Sequence, residues 1–228
     1  MTWNDITVFQ WQRIVNILSE MKEDNTVDIE TRVASVVYDM TENQIDSLPI
    51  AKRNKLFKEM EFVYSELKPA PQKFIKVKGK RYKCVFDVRK IPAARYIETK
   101  HFSNDVNGNL NKIAASMVIP MKKTFFGWTE AKYDAGKHSE YSQDMLEAPV
   151  TAVFGSVVFF CQIYVHWIRN SKDYLTDQMK KKGMNKYQAE AVYQVFSSVL
   201  DGYINPNWLQ NSKAYHLKRL LKLKRFGF

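Results

Sequence analysis

The chain has 228 residues, 45% of them hydrophobic, with 14 Phe, 12 Tyr and 5 Trp, which is enough apolar material for a substantial core and excludes low-complexity disorder. Its two cysteines, Cys84 and Cys161, are separated by 76 residues, which argues against a disulfide framework and against a zinc site of paired thiolates. The net charge of +11 is local: residues 73–90 carry eight Lys or Arg against one Asp, residues 211–228 carry six against no acid, and the rest of the chain sums to −2. A local basic patch implies an acidic partner more strongly than a diffuse excess does.

The N-terminus lacks the basic start and apolar run of a signal peptide, so a cytoplasmic origin is expected. Residues 2–23 predict an amphipathic helix, capped by Asp5 or Thr7, with Phe9, Ile14, Ile17, Leu18 and Met21 at helical spacing. A second short helix is expected over 28–39, with Ile29, Val33, Val36 and Val37 on one face. Two further helix starts follow at 41–45 and 47–49. Pro49 sits in a first turn, where its missing N–H costs nothing, and that helix is expected to run to about Leu67, burying Leu56, Met60 and Val63.

The period then changes from helical to alternating. Residues 73–88 predict a β-hairpin with its turn around Gly79. Helices are expected over 93–102 and 110–118, with a loop at 104–109 between them and Pro120 halting the second. Residues 122–137, with Gly127 and Gly136 among several aromatics, predict an irregular excursion, and 141–146 one or two helical turns.

Residues 148–168 contain no Asp, Glu, Lys or Arg and are long enough to cross a bilayer. Thr151, Gly155, Ser156, Gln162 and His166 interrupt the run, however, and burying the Gln amide and the imidazole in hydrocarbon is costly. The expectation is therefore a core helix over about 149–182, ending at Gly183, rather than a membrane span. Asn185 is placed to cap a helix over 186–200, and residues 213–228 form a basic amphipathic tail.

The fold class expected is mainly α (α+β): a multi-helix domain around the central apolar helix, with one β-hairpin. Its regions are an N-terminal helical part (1–68), the basic hairpin (69–90), a helical core (91–212) and the tail (213–228).

No glycine-rich phosphate loop, GxSxG or HExxH occurs, and no Cys/His cluster has ligand spacing. His138 beside Ser139 does not make a catalytic pair, because adjacent residues do not face each other on a helix. No catalytic residue, cofactor or metal is expected. The basic hairpin, with Lys76, Lys78, Lys80, Arg81 and Lys83 interleaved with Phe74, Tyr82 and Phe86, has the residue types that contact phosphates and stack on bases, or else a solvated face over buried aromatics. In the tail, Lys218, Arg219, Lys222, Lys224 and Arg225 surround Leu217, Leu220 and Leu221, which fits a nucleic-acid arm, a membrane-surface helix or a peptide that docks on a neighbour.

Several phrases recur in a familiar order. These are Trp3-x-x-Ile6-Thr7; the step Tyr38-Asp39-Met40-Thr41-Glu42-x-x-Ile45-Asp46-x-Leu48-Pro49; the hairpin 74–82; Leu110-x-Lys112-Ile113-Ala114-Ala115; and Pro149-Val150-x-x-Val153-Phe154-Gly155-x-x-x-Phe159-Phe160. This order, over residues 3–160, resembles the tail assembly chaperones of tailed bacteriophages and related tail and neck proteins in phages of gut Bacteroidetes, including crAss-like phages. The resemblance implies a non-enzymatic virion protein of the tail or head–tail junction, made in the host cytoplasm. It implies a homo-oligomeric, ring-type subunit that contacts other phage structural proteins and lies near DNA, or alternatively a chaperone of the tape measure protein. Phe74, Tyr82, Leu217, Leu220 and Leu221 are then the expected docking residues. A nonspecific nucleic-acid-binding protein is the alternative of another class.

Overall fold

The computed structural model describes residues 1–19, 26–67, 69–87, 93–102, 105–181, 183, 185 and 187–188. The expected helix at 186–200 and the basic tail at 213–228 lie almost wholly outside them. The protein is mainly helical with one four-stranded antiparallel sheet. Its helices are α1 (Val8–Ser19), α2 (Thr26–Tyr38), α3 (Glu42–Asp46), α4 (Ile50–Glu59), α5 (Ala93–Phe102), α6 (Val106–Met117), α7 (His138–Leu146) and α8 (Val150–Lys181). Its strands are β1 (Phe74–Val77), β2 (Lys80–Cys84), β3 (Val118–Thr124) and β4 (Gly127–Glu130), paired in sequence order.

Local capping decides several boundaries. The first predicted helix is broken in two, a 3₁₀ turn at Trp3–Asp5 followed by α1, because Thr7 accepts from the Gln10 amide while Gln10 bonds back to the Thr7 amide. Thr41 and Gln44 make the same reciprocal pair at the start of α3. The helix expected to reach Leu67 stops at Glu59 and passes into a 3₁₀ turn, Glu61–Tyr64, although Met60 and Val63 are buried as expected. Helix α6 starts at Val106, earlier than expected, because the Asp105 carboxylate accepts from the Gly108 amide and draws the loop into a first turn.

The larger departure is at 118–130. Instead of an irregular excursion, the chain leaves α6 directly into β3 and turns back as β4. Pro120 lies within β3, opposite Tyr82.

One core runs from Ile6 through Trp11, Ile45, Ile75, Leu110 and Met145 to Cys161. Its middle is α6, where Leu110, Asn111 and residues 113–117 are all buried and which packs against α1, α5, α7 and α8. The long helix α8 takes the predicted span, but its described burial is in its first turns, at Val150, Val153, Val157, Phe160 and Cys161. A short antiparallel bridge ties its start to the N-terminus: the Val8 amide donates to the Ala148 carbonyl (3.0 Å) and the Val150 amide to the Ile6 carbonyl (2.8 Å). Gly183 (φ +81°) follows its end, and Asn185 and Gln188 exchange capping bonds just beyond. No helix among the described residues is long and apolar enough to cross a membrane.

Candidate functional site

The β1–β2 turn is Lys78-Gly79, both in the left-handed region (φ +47° and +75°), between paired Val77 and Lys80. A two-residue loop of this type matches the twist of its strands and fixes the register. Side chains then alternate between a face packed on the core and an open face. Ile75, Val77, Tyr82 and Cys84 are buried, whereas Lys76 is exposed.

This alternation splits the hairpin's basic residues between the two faces. Lys78 pairs with Glu147 (3.1 Å), and Lys80 reaches Asp144 (2.7 Å) and Glu140 (3.2 Å), all on or just after α7. On the open face Lys83 pairs with Glu130 of β4. Arg81 stacks over Phe74 at 3.8 Å and lies 5.9 Å from the Trp128 ring. Phe74 thus supports an arginine rather than standing free. Lys76 remains exposed with no carboxylate partner among the described residues, and Lys73, also exposed, lies 5.6 Å from the Phe74 ring.

Tyr82, expected to dock a partner, is instead a core residue at 2% exposure. Its hydroxyl donates a short hydrogen bond to Asp144, and its ring meets Tyr141 edge-on at 6.0 Å. Burial, and then the Asp144 carboxylate, raises its pKa well above the tyrosine range. The Lys80 pKa is raised too, chiefly by its hydrogen bond to Asp144. The predicted residues Leu217, Lys218, Arg219, Leu220, Leu221, Lys222, Lys224 and Arg225 lie outside the described residues.

Between the sheet and α7 lies an open cleft of about 710 Å³ whose lining includes Lys122, Lys132, Lys137, Trp128 and Tyr133. Three of these are lysines with no carboxylate partner among the described residues. Behind the cleft is a polar cluster that the sequence did not reveal. Arg95 is 2% exposed; it donates from Nε to the Ser116 carbonyl (2.7 Å) and from Nη2 to the Val118 carbonyl (2.6 Å), with Tyr133 stacked on it at 4.0 Å. It thereby satisfies the carbonyls where α6 becomes β3.

In the same cluster Ser116 Oγ lies 3.0 Å from His138 Nε2 and 3.4 Å from Glu98 Oε2. The three residue types are those of a hydrolytic triad, but the arrangement is different. Glu98 faces the serine and Tyr133 rather than the imidazole, the serine is fully buried, and the His138 ring is stacked on Phe102. His138 therefore turns towards Ser116, not towards its neighbour Ser139. No group of His, Cys, Asp or Glu among the described residues is placed to hold a metal ion.

Among the described residues the most exposed large apolar side chains are at the β3–β4 tip. Phe125 and Phe126 form the two-residue turn, each 97% exposed, with rings 5.4 Å apart edge-to-face. Gly127 (φ +122°) takes a backbone conformation that side chains rarely allow, and Thr124 Oγ1 donates to its carbonyl (2.9 Å). Behind the turn Lys123 pairs with Trp128, then Lys122 with Thr129. The Gly127 turn signal was the available clue.

Neither a protein-family model, nor a curated protein, nor a solved structure matches this chain.

Proposed function

We propose that this chain is a non-enzymatic structural subunit of a bacteriophage virion, in the tail or head–tail junction, that assembles with further copies of itself and with other phage structural proteins. The phage assignment is supported by the order of phrases over residues 3–160. The structural observation that carries the assembly role is the open edge of the sheet. Among the described residues strand β4 pairs with β3 alone, and it is exposed at every position. An unpaired edge is a template for a strand from a neighbour, and head-to-tail contacts of that kind close into rings when the rotation permits. The Tyr82–Asp144 hydrogen bond and the Lys80–Asp144 pair fasten the sheet to α7.

A chaperone of the tape measure protein uses the same surface transiently. The nucleic-acid reading is favoured by one observation, the cleft with Lys122, Lys132 and Lys137 beside Trp128 and Tyr133.

The deciding experiment is the mass of the purified protein by light scattering at low and high salt. A discrete oligomer that survives high salt is the expected result. A monomer at both salts overturns the ring reading in favour of the chaperone or nucleic-acid one. The nucleic-acid reading further requires affinity for DNA that falls steeply with salt, through counterion release.

A further inference from the structure

We propose that the β3–β4 tip is an interfacial anchor that inserts into the surface of a bilayer containing anionic lipids. This goes beyond the assembly role and does not depend on it.

The turn itself does not require phenylalanine. Two-residue hairpin turns are served best by Asn, Asp and Gly, and the backbone demand here is already met by Gly127. Single exposed apolar residues need no explanation, but two adjacent aromatics at the apex of a protruding hairpin, each 97% exposed, leave a concentrated apolar surface in water.

The rungs behind the apex are graded in polarity. Thr124 and Gly127 satisfy each other. Next comes the Lys123–Trp128 pair and then Lys122–Thr129. Rungs are about 3.4 Å apart. Phe125 and Phe126 therefore reach the acyl boundary while Trp128 sits at headgroup depth, where indole rings concentrate. Lys122 and Lys123 lie level with lipid phosphates. Residues 122–129 contain no acid, and the first carboxylate, Glu130, is paired with Lys83.

A second copy of the chain is a poorer host. The cleft beside the sheet is lined by Lys80, Arg81, Lys122, Lys132 and Lys137 against Asp134 and Glu140, and with Lys80 and Glu140 already paired its balance stays positive, which opposes a lysine-flanked tip. The cleft of about 490 Å³ at the α2–α3 corner has Asp39 and Glu42, but Met40 is its one apolar side chain. A bilayer needs no preformed pocket, and it supplies both the apolar and the anionic layer in the order the hairpin presents them.

The test is co-sedimentation of the full chain with vesicles, either of phosphatidylcholine alone or of equal parts phosphatidylcholine and phosphatidylglycerol. The wild type is expected to bind the anionic vesicles and to bind the neutral ones more weakly. Phe125→Ser/Phe126→Ser should weaken binding about tenfold or more, Phe125→Leu/Phe126→Leu should restore it, and Lys122→Gln/Lys123→Gln should weaken it and flatten its salt dependence. Circular dichroism of each variant should match the wild type, since these side chains support no core. No binding by the wild type, or binding unchanged by the serine substitutions, overturns the proposal; the latter result assigns any lipid affinity to 148–168 or 213–228. A wild-type oligomer that the serine substitutions dissociate, without lipid affinity, overturns it in favour of a protein neighbour and leaves the assembly role standing.

Discussion

Tyr82 of β2 donates its hydroxyl to Asp144 of α7, and this buried contact is where the sheet is fastened to the helices. Lys80 reaches the same carboxylate from the rim, at 2.7 Å. The Asp144→Ala substitution leaves a buried hydroxyl without an acceptor and should destabilise the protein by about 2–3 kcal/mol. Tyr82→Phe keeps the Lys80–Asp144 pair and should cost about 1 kcal/mol. Glu140→Ala removes only an exposed ion pair and should change stability by less than about 0.5 kcal/mol. Urea midpoints of the three variants check the order.

Alkaline pH should destabilise the fold, and the sign follows from the direction of the shifts. Burial pushes the Cys84 thiol up to about 11 and the Cys161 thiol to about 12, and desolvation raises Tyr82 and Tyr133 above the tyrosine range. Lys80 is raised by its bond to Asp144. Every one of these groups keeps its proton longer folded than unfolded, so the native state binds more protons and stability falls as pH rises. The loss should begin near the ordinary thiol value of 9.0 and continue through the raised thiol values. Denaturant midpoints measured from neutral pH to about 11 should decline monotonically over the upper part of that range. A flat profile would remove the burial of these groups as its basis. In parallel, both thiols should resist a disulfide reagent at neutral pH until denaturant is added.

Arg95 ties the end of α6 to the start of β3 through two backbone carbonyls. Arg95→Met leaves those carbonyls unpaired in the interior and removes the guanidinium from Tyr133, at an expected cost of about 2–3 kcal/mol. Arg95→Lys should recover little of it, because one ammonium cannot donate along both directions that the planar fork covers. Thermal melts of the two variants should nearly coincide. Recovery by lysine would reduce the role of Arg95 to its charge.

The parts of the fold that were legible in the sequence are those decided within a few residues. Thr41 with Gln44, Pro49 and Lys78-Gly79 each impose a local geometry, and the starts of α3 and α4 and the first hairpin follow from them; Pro149 and Gly183 bound α8 in the same local way. Strands β3 and β4 were not legible. The partner of β3 is β2, separated from it by α5 and α6, and β4 is exposed on every side chain, so no alternation of apolar and polar residues marks it. The placement of the hairpin's basic residues was illegible for a related reason. The charge run 73–90 was real as composition, but a period of two sent Lys80 towards α7 and Arg81 towards Phe74, and the carboxylates that neutralise the lysines lie far along the chain. The exposed Phe125-Phe126 pair, by contrast, was visible as letters and had no meaning until the turn placed it.

The glycine and serine that interrupt the apolar stretch of α8 have a packing reason, and it leads to the last prediction. The segment at 69–72 crosses α8 at Gly155, where a Cβ would stand 2.8 Å from the Ala70 carbonyl oxygen and 3.0 Å from that of Pro69. Ser156 holds the same segment, accepting from the Gln72 amide and lying 3.2 Å from the Gln72 carbonyl. Both obstructing atoms at Gly155 are backbone, so the segment must move as a unit. Gly155→Ala, which raises helix propensity, should nonetheless destabilise by about 1–3 kcal/mol. Ser156→Ala should cost about 1 kcal/mol through the lost Gln72 bonds. Gly136→Ala meets only the Asp134 side chain, at 3.3 Å, and serves as the control with little expected change. Urea denaturation of the three variants tests the close approach directly: stabilisation by Gly155→Ala would mean that the 69–72 segment does not lie on α8.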